Sequence, residues 1–134
     1  MERLTVIFFA VVLMAGPLFA QTVSAAPPSD SSHDLSTYRG LSGALNTFQT
    51  ELVILDVRSP DLFYQGHLPS AINIPVTDLW YQHPTHNLNA YIVVYGRPAS
   101  ADSRQGAEIL RLEGYKHVIL FGSITKWQGP FPKN

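Results

Sequence analysis

The chain has 134 residues, of which 46% are hydrophobic and 14% charged, a composition typical of a globular protein and not of a disordered one. The formal net charge of -1 leaves no electrostatic basis for binding nucleic acid or an acidic membrane surface. The chain contains no cysteine, so disulfides and reactions that need a thiol are excluded.

The first 25 residues have the layout of a secretory signal peptide. A short, weakly basic start precedes an almost wholly apolar run over residues 4–20, and small residues follow it. Cleavage after Ala25 is the first choice, and cleavage after Ala20 is the second. The alternative is an uncleaved membrane anchor, but the apolar run is near the short limit for a span and Gly16-Pro17 interrupts it. We therefore expect a periplasmic or secreted protein with no stable membrane insertion after cleavage.

The mature chain is predicted to begin with a flexible segment over residues 26–34, which is rich in proline and serine. The folded domain is then expected over residues 35–134, a length sufficient for one hydrophobic core. Apolar side chains recur at three- and four-residue spacing between His33 and Thr50. This spacing predicts a helix that is interrupted by Gly40 and Gly43.

Predicted strands and helices alternate through the rest of the chain. The continuous apolar run LVILDV at 52–57 is typical of a parallel strand that is covered on both faces. The next predicted elements are a helical turn at 61–64, a short strand at 71–74, an exposed loop at 80–89, a strand at 91–95, a helix at 103–113 and a strand at 117–121. This order predicts an α/β fold with a mainly parallel central sheet flanked by helices.

Three segments after Leu52 follow a family pattern. Asp56-Val57-Arg58 ends the first strong strand, residues 63–75 read F-x-x-G-H-L-P-S-A-x-N-I-P, and residues 122–127 read G-S-x-x-x-W. These segments resemble the rhodanese-like sulfurtransferase family, with Ser70 and Ser123 in place of glycines. The resemblance implies the family's three-layer fold with its mainly parallel sheet.

The resemblance also implies a set of structural residues around the first block. Asp56 and Arg58 are expected to form an ion pair beneath the active-site loop, with a structural role because buried opposite charges satisfy each other. His67 is expected to hold a turn. The structural set is Asp56, Arg58, Gly66, His67 and Pro69.

The family's cysteine nucleophile has no equivalent in this chain. After the strand at 91–95 the family pattern is C-x-x-G-x-R-S, whereas residues 96–103 read GRPASADS. Counting forward from the strand aligns Gly96 with the cysteine. Counting back from Gly114 aligns Arg97 with the cysteine and Asp102 with the family's arginine, which indicates one extra residue in the loop.

Loss of the thiol determines the predicted function. Sulfur transfer through a persulfide needs a thiolate, and a serine hydroxyl has a far higher pKa and forms no comparable persulfide. We therefore predict a catalytically inactive domain, not an enzyme, that serves as a binding or accessory module. The alternative is an enzyme of altered chemistry that uses a serine or a small-anion site in the 96–103 loop. Gly96→Cys alone is not expected to restore sulfur transfer, because the longer loop and the charge of Asp102 oppose a low thiol pKa.

The same loop is the predicted ligand-binding position because it follows a parallel strand and precedes a helix. Asp102 is predicted as the N-cap of that helix, with Gln105 completing a capping-box pair. Free N–H groups there would hold a small anion, although an ordinary capped helix without a ligand explains the same residues. An unidentified protein partner is the other candidate. The candidate ligand-binding residues are Gly96, Arg97, Ser100, Asp102, Ser103 and Arg104.

Histidines and aromatic residues offer two further candidate features. His83 and His86 are close together in sequence, but no neighbouring carboxylate or thiol completes a zinc site, so no metal and no cofactor is predicted. Trp80, Tyr81 and Trp127 are candidates for an aromatic interaction patch, with core packing as the default for Trp127.

Removal of the leader is directly testable by mass. If cleavage follows Ala25, the intact mass of the exported protein will correspond to a chain that begins at Ala26, or at Gln21 for the second site. Intact-protein mass spectrometry of material collected outside the inner membrane measures this. A membrane-retained species that still begins at Met1 would support the anchor instead.

Overall fold

The computed structural model describes residues 34–47 and 51–133. The predicted signal peptide, most of the predicted flexible segment and both ends of the first predicted helix lie outside these residues. In chain order the described helices and strands are α1 (Tyr38–Thr47), β1 (Leu52–Asp56), α2 (Pro60–Gln65), β2 (Ala71–Asn73), β3 (Tyr91–Gly96), α3 (Asp102–Leu112) and β4 (His117–Ser123), with short 3-10 turns at Val76–Asp78 and Ile124–Lys126.

Helix α1 begins at Tyr38 because Thr37 caps it. The Thr37 hydroxyl accepts a hydrogen bond from the N–H of Gly40 at 3.1 Å. Gly40 is needed for close packing, since a Cβ at this position would lie 2.5 Å from the carbonyl carbon of Asp34. The prediction that Gly40 and Gly43 interrupt the helix is wrong, because α1 runs through both.

The four strands form one parallel sheet in the order β2-β1-β3-β4. Leu52 pairs with Tyr91 and Asp56 pairs with Tyr95, so β1 and β3 end side by side. The register between β3 and β4 shifts after Val94, and Tyr95 pairs with Gly122. The predicted parallel sheet is confirmed, and its carboxyl ends meet at one edge.

Apolar side chains cover both faces of the sheet and give three layers. One cluster packs α1 against the sheet around Leu41, Ile54 and Phe121. The other packs α3 against the opposite face around Ile92 and Leu110. Burial on both faces explains why β1 and β3 have continuous apolar sequences, and the predicted three-layer α/β architecture is confirmed.

Helix α3 packs closely on the sheet through one face. Gly106, Ala107 and Leu110 are buried, whereas Leu112 is 69% exposed. This alternation is the amphipathic pattern that the sequence predicted. No helix in the described ranges has the length and apolar character needed to cross a membrane.

Candidate functional site

The carboxyl edge of the sheet carries the predicted functional loop. Strands β1, β2 and β3 end here, and the segments that follow them surround a cavity of about 250 Å³. The position agrees with the general rule that ligands bind at the carboxyl ends of parallel strands. Polar side chains that line the cavity are Arg58, Ser59, Thr77, Arg97 and Asp102.

Below this edge lies the ion pair that the sequence predicted. Asp56 is fully buried and Arg58 is 6% exposed. The Arg58 Nε donates to both carboxylate oxygens of Asp56 at 2.9 and 3.0 Å, and the Arg58 backbone N–H donates to Oδ1 at 2.9 Å. A second guanidinium nitrogen donates to the carbonyl oxygen of Gly66 at 2.8 Å. The pair therefore joins the end of β1 to the turn at Gly66.

Tyr95 extends the same buried network into β3. The Arg58 guanidinium carbon lies 5.6 Å from the centre of the Tyr95 ring. Burial, together with the charge of Asp56 and a hydrogen bond to it, raises the pKa of the Tyr95 phenol far above its usual value, so the hydroxyl stays neutral. That hydroxyl accepts a hydrogen bond from the N–H of Leu68 at 3.1 Å. The network thus connects β1, β3 and the turn before β2.

His67, which the sequence predicts to hold a turn, contacts Phe63 of α2 and Pro132 near the end of the chain. Its ring stacks on Phe63 with 4.0 Å between centroids, and its Nδ1 lies 3.1 Å from the Phe63 carbonyl oxygen. Its backbone N–H donates to the carbonyl oxygen of Pro132 at 3.2 Å. After Pro69, Ser70 adopts a φ of 61°, in the left-handed region that favours glycine. Ser70 therefore adopts a backbone conformation that favours glycine, at a position where the family pattern has glycine.

The loop between β3 and α3 is folded around the carboxylate of Asp102. Gly96 ends β3, and a Cβ there would overlap the Asp102 side chain, at 2.7 Å from its Cγ. The backbone N–H of Arg97 donates to Oδ2 of Asp102 at 3.3 Å, and Arg97 Nε donates to the same oxygen at 3.0 Å. The N–H of Ser103 donates to Oδ1 at 2.8 Å. The carboxylate of Asp102 therefore occupies the space that a side chain at position 96 would need.

The predicted capping role of Asp102 is wrong. The N-cap of α3 is Ala101, and Asp102 is the first helical residue, with its side chain turned back toward Arg97. The N-cap residue Ala101 makes no side-chain capping bond, and the predicted capping-box pair of Asp102 with Gln105 does not form. The close approach of the loop to Gly96 provides the physical reason, because the carboxylate finds donors there that an N-cap position would not offer.

Electrostatics keep this carboxylate ionised. Burial alone would raise the pKa of Asp102, but hydrogen bonds from Arg97, Ser103 and Ser100 lower it below the usual value. Ser100 supports the arrangement, since its Oγ accepts from the N–H of Asp102 at 3.3 Å and from the Arg97 guanidinium at 3.3 Å. Of the six predicted ligand-binding residues, five gather here. Arg104 lies exposed on α3, outside these contacts.

Tertiary structure brings a carboxylate to the histidine pair that the sequence left isolated. Oε2 of Glu113 is buried without a hydrogen-bond partner and lies 3.4 Å from Nδ1 of His83. Both residues line a cavity of about 280 Å³ with His86 and Tyr115. No sequence spacing links His83 to Glu113, which follows α3. Over residues 34–47 and 51–133, no three side chains of the ligand types are arranged to hold a metal ion.

The three aromatic residues of the predicted patch do not form one surface. Trp127 is buried in the core, where it packs edge-to-face on Tyr38 at 5.0 Å. Trp80 and Tyr81 are exposed by 54% and 85%. Trp80 lines an apolar groove of about 400 Å³ beside α3. Trp127 thus follows its default interpretation, and the exposed aromatic surface belongs to the 80–81 segment.

This chain is similar in sequence and in fold to known proteins. A family model described as the rhodanese-like domain matches residues 41–130. The Alr3790 protein from Anabaena sp. is 28% identical, with a TM-score of 0.65 and coverage of 73% of this chain and 82% of that chain. A rhodanese with anions from E. coli is 32% identical, with a TM-score of 0.57 and coverage of 62% of this chain and 99% of that chain.

More distant similarity shows the fold alone. A single-domain sulfurtransferase from Saccharomyces cerevisiae is 20% identical, with a TM-score of 0.57 and coverage of 68% of this chain and 85% of that chain. No curated protein matches the sequence.

The buried ion pair predicts a large loss of stability in Asp56→Asn. The variant leaves the Arg58 guanidinium buried without its counter-charge, and we expect a loss of about 3 to 5 kcal/mol in the free energy of unfolding. Urea unfolding at neutral pH measures the change. Asp61→Asn, at an exposed position in α2, is the matched control and should change stability by less than about 0.5 kcal/mol. Equal unfolding midpoints for the two variants would contradict the role of the pair.

Proposed function

This chain belongs to the rhodanese-like domain family, and on that basis we propose that it is an exported, catalytically inactive member that works as a binding or accessory module. The main evidence that the domain is inactive is the residue at position 96, which is glycine. This residue ends β3 and, by the count forward from that strand, takes the position of the family's cysteine, and the sequence contains no cysteine elsewhere. The Asp102 carboxylate fills the space beside Gly96, so a thiol from another molecule has no room to take that position.

Hydrolysis through a serine is the weaker proposal. Ser100 contacts the cavity residues Arg97 and Asp102, because its Oγ accepts a hydrogen bond from each of them. A serine nucleophile needs a neighbouring base that accepts its proton. The Asp102 carboxylate has a lowered pKa, which makes it a poor base. In the described part of the chain, the side-chain hydrogen bonds of Ser100 are with Arg97 and Asp102, and none is with an imidazole.

A protein partner is favoured over a small anion. The E. coli relative is a rhodanese with anions, so an anion site in this chain is the alternative to compare. In this loop, however, the donors that would meet an anion already bind Asp102. A second negative charge beside that carboxylate would be repelled. The binding function that we propose therefore uses another surface.

The Trp80–Leu112 groove is the surface that we propose for the partner. We define it by the apolar side chains of Val76, Trp80, Ile109 and Leu112, with Gln105 and Glu108 at its polar rim. Trp80 is 54% exposed and Leu112 is 69% exposed. A contiguous apolar surface with a polar rim is typical of protein interaction sites, and tryptophan is enriched among residues that dominate binding. We propose an occupant that is a protein segment with apolar side chains.

Export is supported by the leader pattern. The apolar run at 4–20 is followed by small residues and then by a segment rich in proline and serine. The absence of cysteine is compatible with an oxidising compartment, where a lone reactive thiol is exposed to oxidation or mispairing.

Absence of a thiol predicts absence of sulfur transfer. Purified mature protein is expected to form no thiocyanate from thiosulfate and cyanide above a heat-treated blank, because no residue forms the persulfide. A cysteine-bearing member of the family, assayed at equal concentration, is the positive control. Thiocyanate formation at the rate of that control would disprove the inactive assignment.

The Trp80–Leu112 groove predicts loss of partner binding in Trp80→Ser and Leu112→Ser. Chemical cross-linking in the native compartment, followed by quantitative mass spectrometry, measures recovery of partners by each variant. Tyr64→Ser is the matched control, since Tyr64 is an exposed aromatic residue on α2 and does not line the groove. We expect the control to retain a partner that both groove variants lose. Equal recovery by all variants, or no partner for the unaltered protein, would contradict the proposal.

A further inference from the structure

Position 96 and the Asp102 carboxylate compete for one space. The Cβ that any residue other than glycine would carry at position 96 lies 2.7 Å from Cγ of Asp102 and 3.1 Å from Oδ2. Contacts of this kind require one group to move. Asp102 is only 5% exposed, and moving its carboxylate would break its hydrogen bonds with Arg97 and Ser103. A cysteine at position 96 and the present position of Asp102 therefore exclude each other.

The donors around this space are suited to an anion. Two N–H groups of Arg97 meet Oδ2 of Asp102, and the backbone N–H of Ser103 at the start of α3 meets Oδ1. Burial opposes ionisation, but these bonds and one from Ser100 hold the pKa of Asp102 below its usual value. Converging N–H groups of this type favour any small negative group, whether a carboxylate, a thiolate or an oxyanion.

We infer that Asp102 is a tethered internal anion that occupies a latent oxyanion site, and that removing its carboxylate opens this site to small oxyanions such as thiosulfate. The inference depends on the geometry of the 96–103 loop and does not depend on export or on the protein partner. It explains how the loop keeps its donors paired without a thiolate. It also implies that Asp102 and a cysteine at position 96 are alternative ways to supply the same charge.

A double-mutant cycle tests the exclusion. Gly96→Cys alone is expected to lower the folding equilibrium constant about 10- to 100-fold, because it overpacks a buried site. In an Asp102→Ala background the same change is expected to lower that constant less than about threefold, since the space is empty and the thiolate meets the freed donors. Urea unfolding of the four proteins measures the coupling. Equal effects of Gly96→Cys in both backgrounds would overturn the inference.

A second acidic residue of α3 provides the control. It shows whether the cost of Gly96→Cys depends on the Asp102 side chain itself or on negative charge in α3 generally. Glu108 is also an acidic residue of α3, but its side chain is exposed. In a Glu108→Ala background, Gly96→Cys should retain its full cost. The thiol pKa in Gly96→Cys/Asp102→Ala, measured by the pH dependence of its alkylation, should lie below the ordinary value of about 8.5. A thiol pKa at or above that value would contradict the inference that the N–H groups of Arg97 and Ser103 stabilise an anion at this position.

Anion binding by Asp102→Ala tests the site without a cysteine. Thiosulfate should raise its urea midpoint with a saturable dependence, whereas sodium chloride at equal ionic strength should not. Strongly hydrated anions stabilise proteins in general, so the shift in the unaltered protein and in Glu108→Ala is the reference. If Asp102→Ala does not fold, Asp102→Ser also removes the carboxylate and leaves a smaller side chain, and the same titration applies. Shifts no larger than the reference in the variant that folds would overturn the inference.

Discussion

The arrangement of the carboxyl edge depends on the buried ion pair between Asp56 and Arg58. The Arg58 guanidinium binds the Asp56 carboxylate and the Gly66 carbonyl, and Tyr95 connects the pair to β3. Because either charge alone would be buried without a partner, the two side chains stabilise only a single geometry. Arg58, one member of this pair, also lines the cavity beside the 96–102 loop. This arrangement accounts for a family scaffold that is intact where its reactive group is absent.

A second charge completes the edge in place of the nucleophile. The Asp102 carboxylate lies beside Gly96 and accepts the hydrogen bonds of Arg97 and Ser103. A carboxylate pairs these donors as a thiolate would, but it does not accept sulfur as a persulfide. Stability of the loop requires only that the donors be paired, whereas the reaction requires a particular atom. The fold and the family's chemistry are thus separable, and the exposed Trp80–Leu112 groove is the apolar surface that we propose for a partner.

Features that leave a local pattern of apolar residues, a short motif or a bias in composition could be predicted from the sequence. The continuous apolar runs identified β1 and β3, because a strand covered on both faces has no regular polar position. The 3.6-residue spacing after Asp102 identified α3. The motif at 56–58 identified the buried ion pair, and the missing cysteine decided that no thiol chemistry is available. Each of these conclusions needs only neighbouring residues or a count, so it was available before any long-range contact was known.

Only the tertiary structure decided where side chains at the loops point. Capping rules use local sequence and predicted Asp102 as an N-cap, but the close approach of the loop to Gly96 turned its carboxylate back and left Ala101 as the cap. Glu113 meets His83 because the end of α3 packs beside the loop that precedes β3. Side-chain direction at a loop, and the meeting of residues far apart in the chain, follow from the packing of whole elements, and local periodicity carries no information about either.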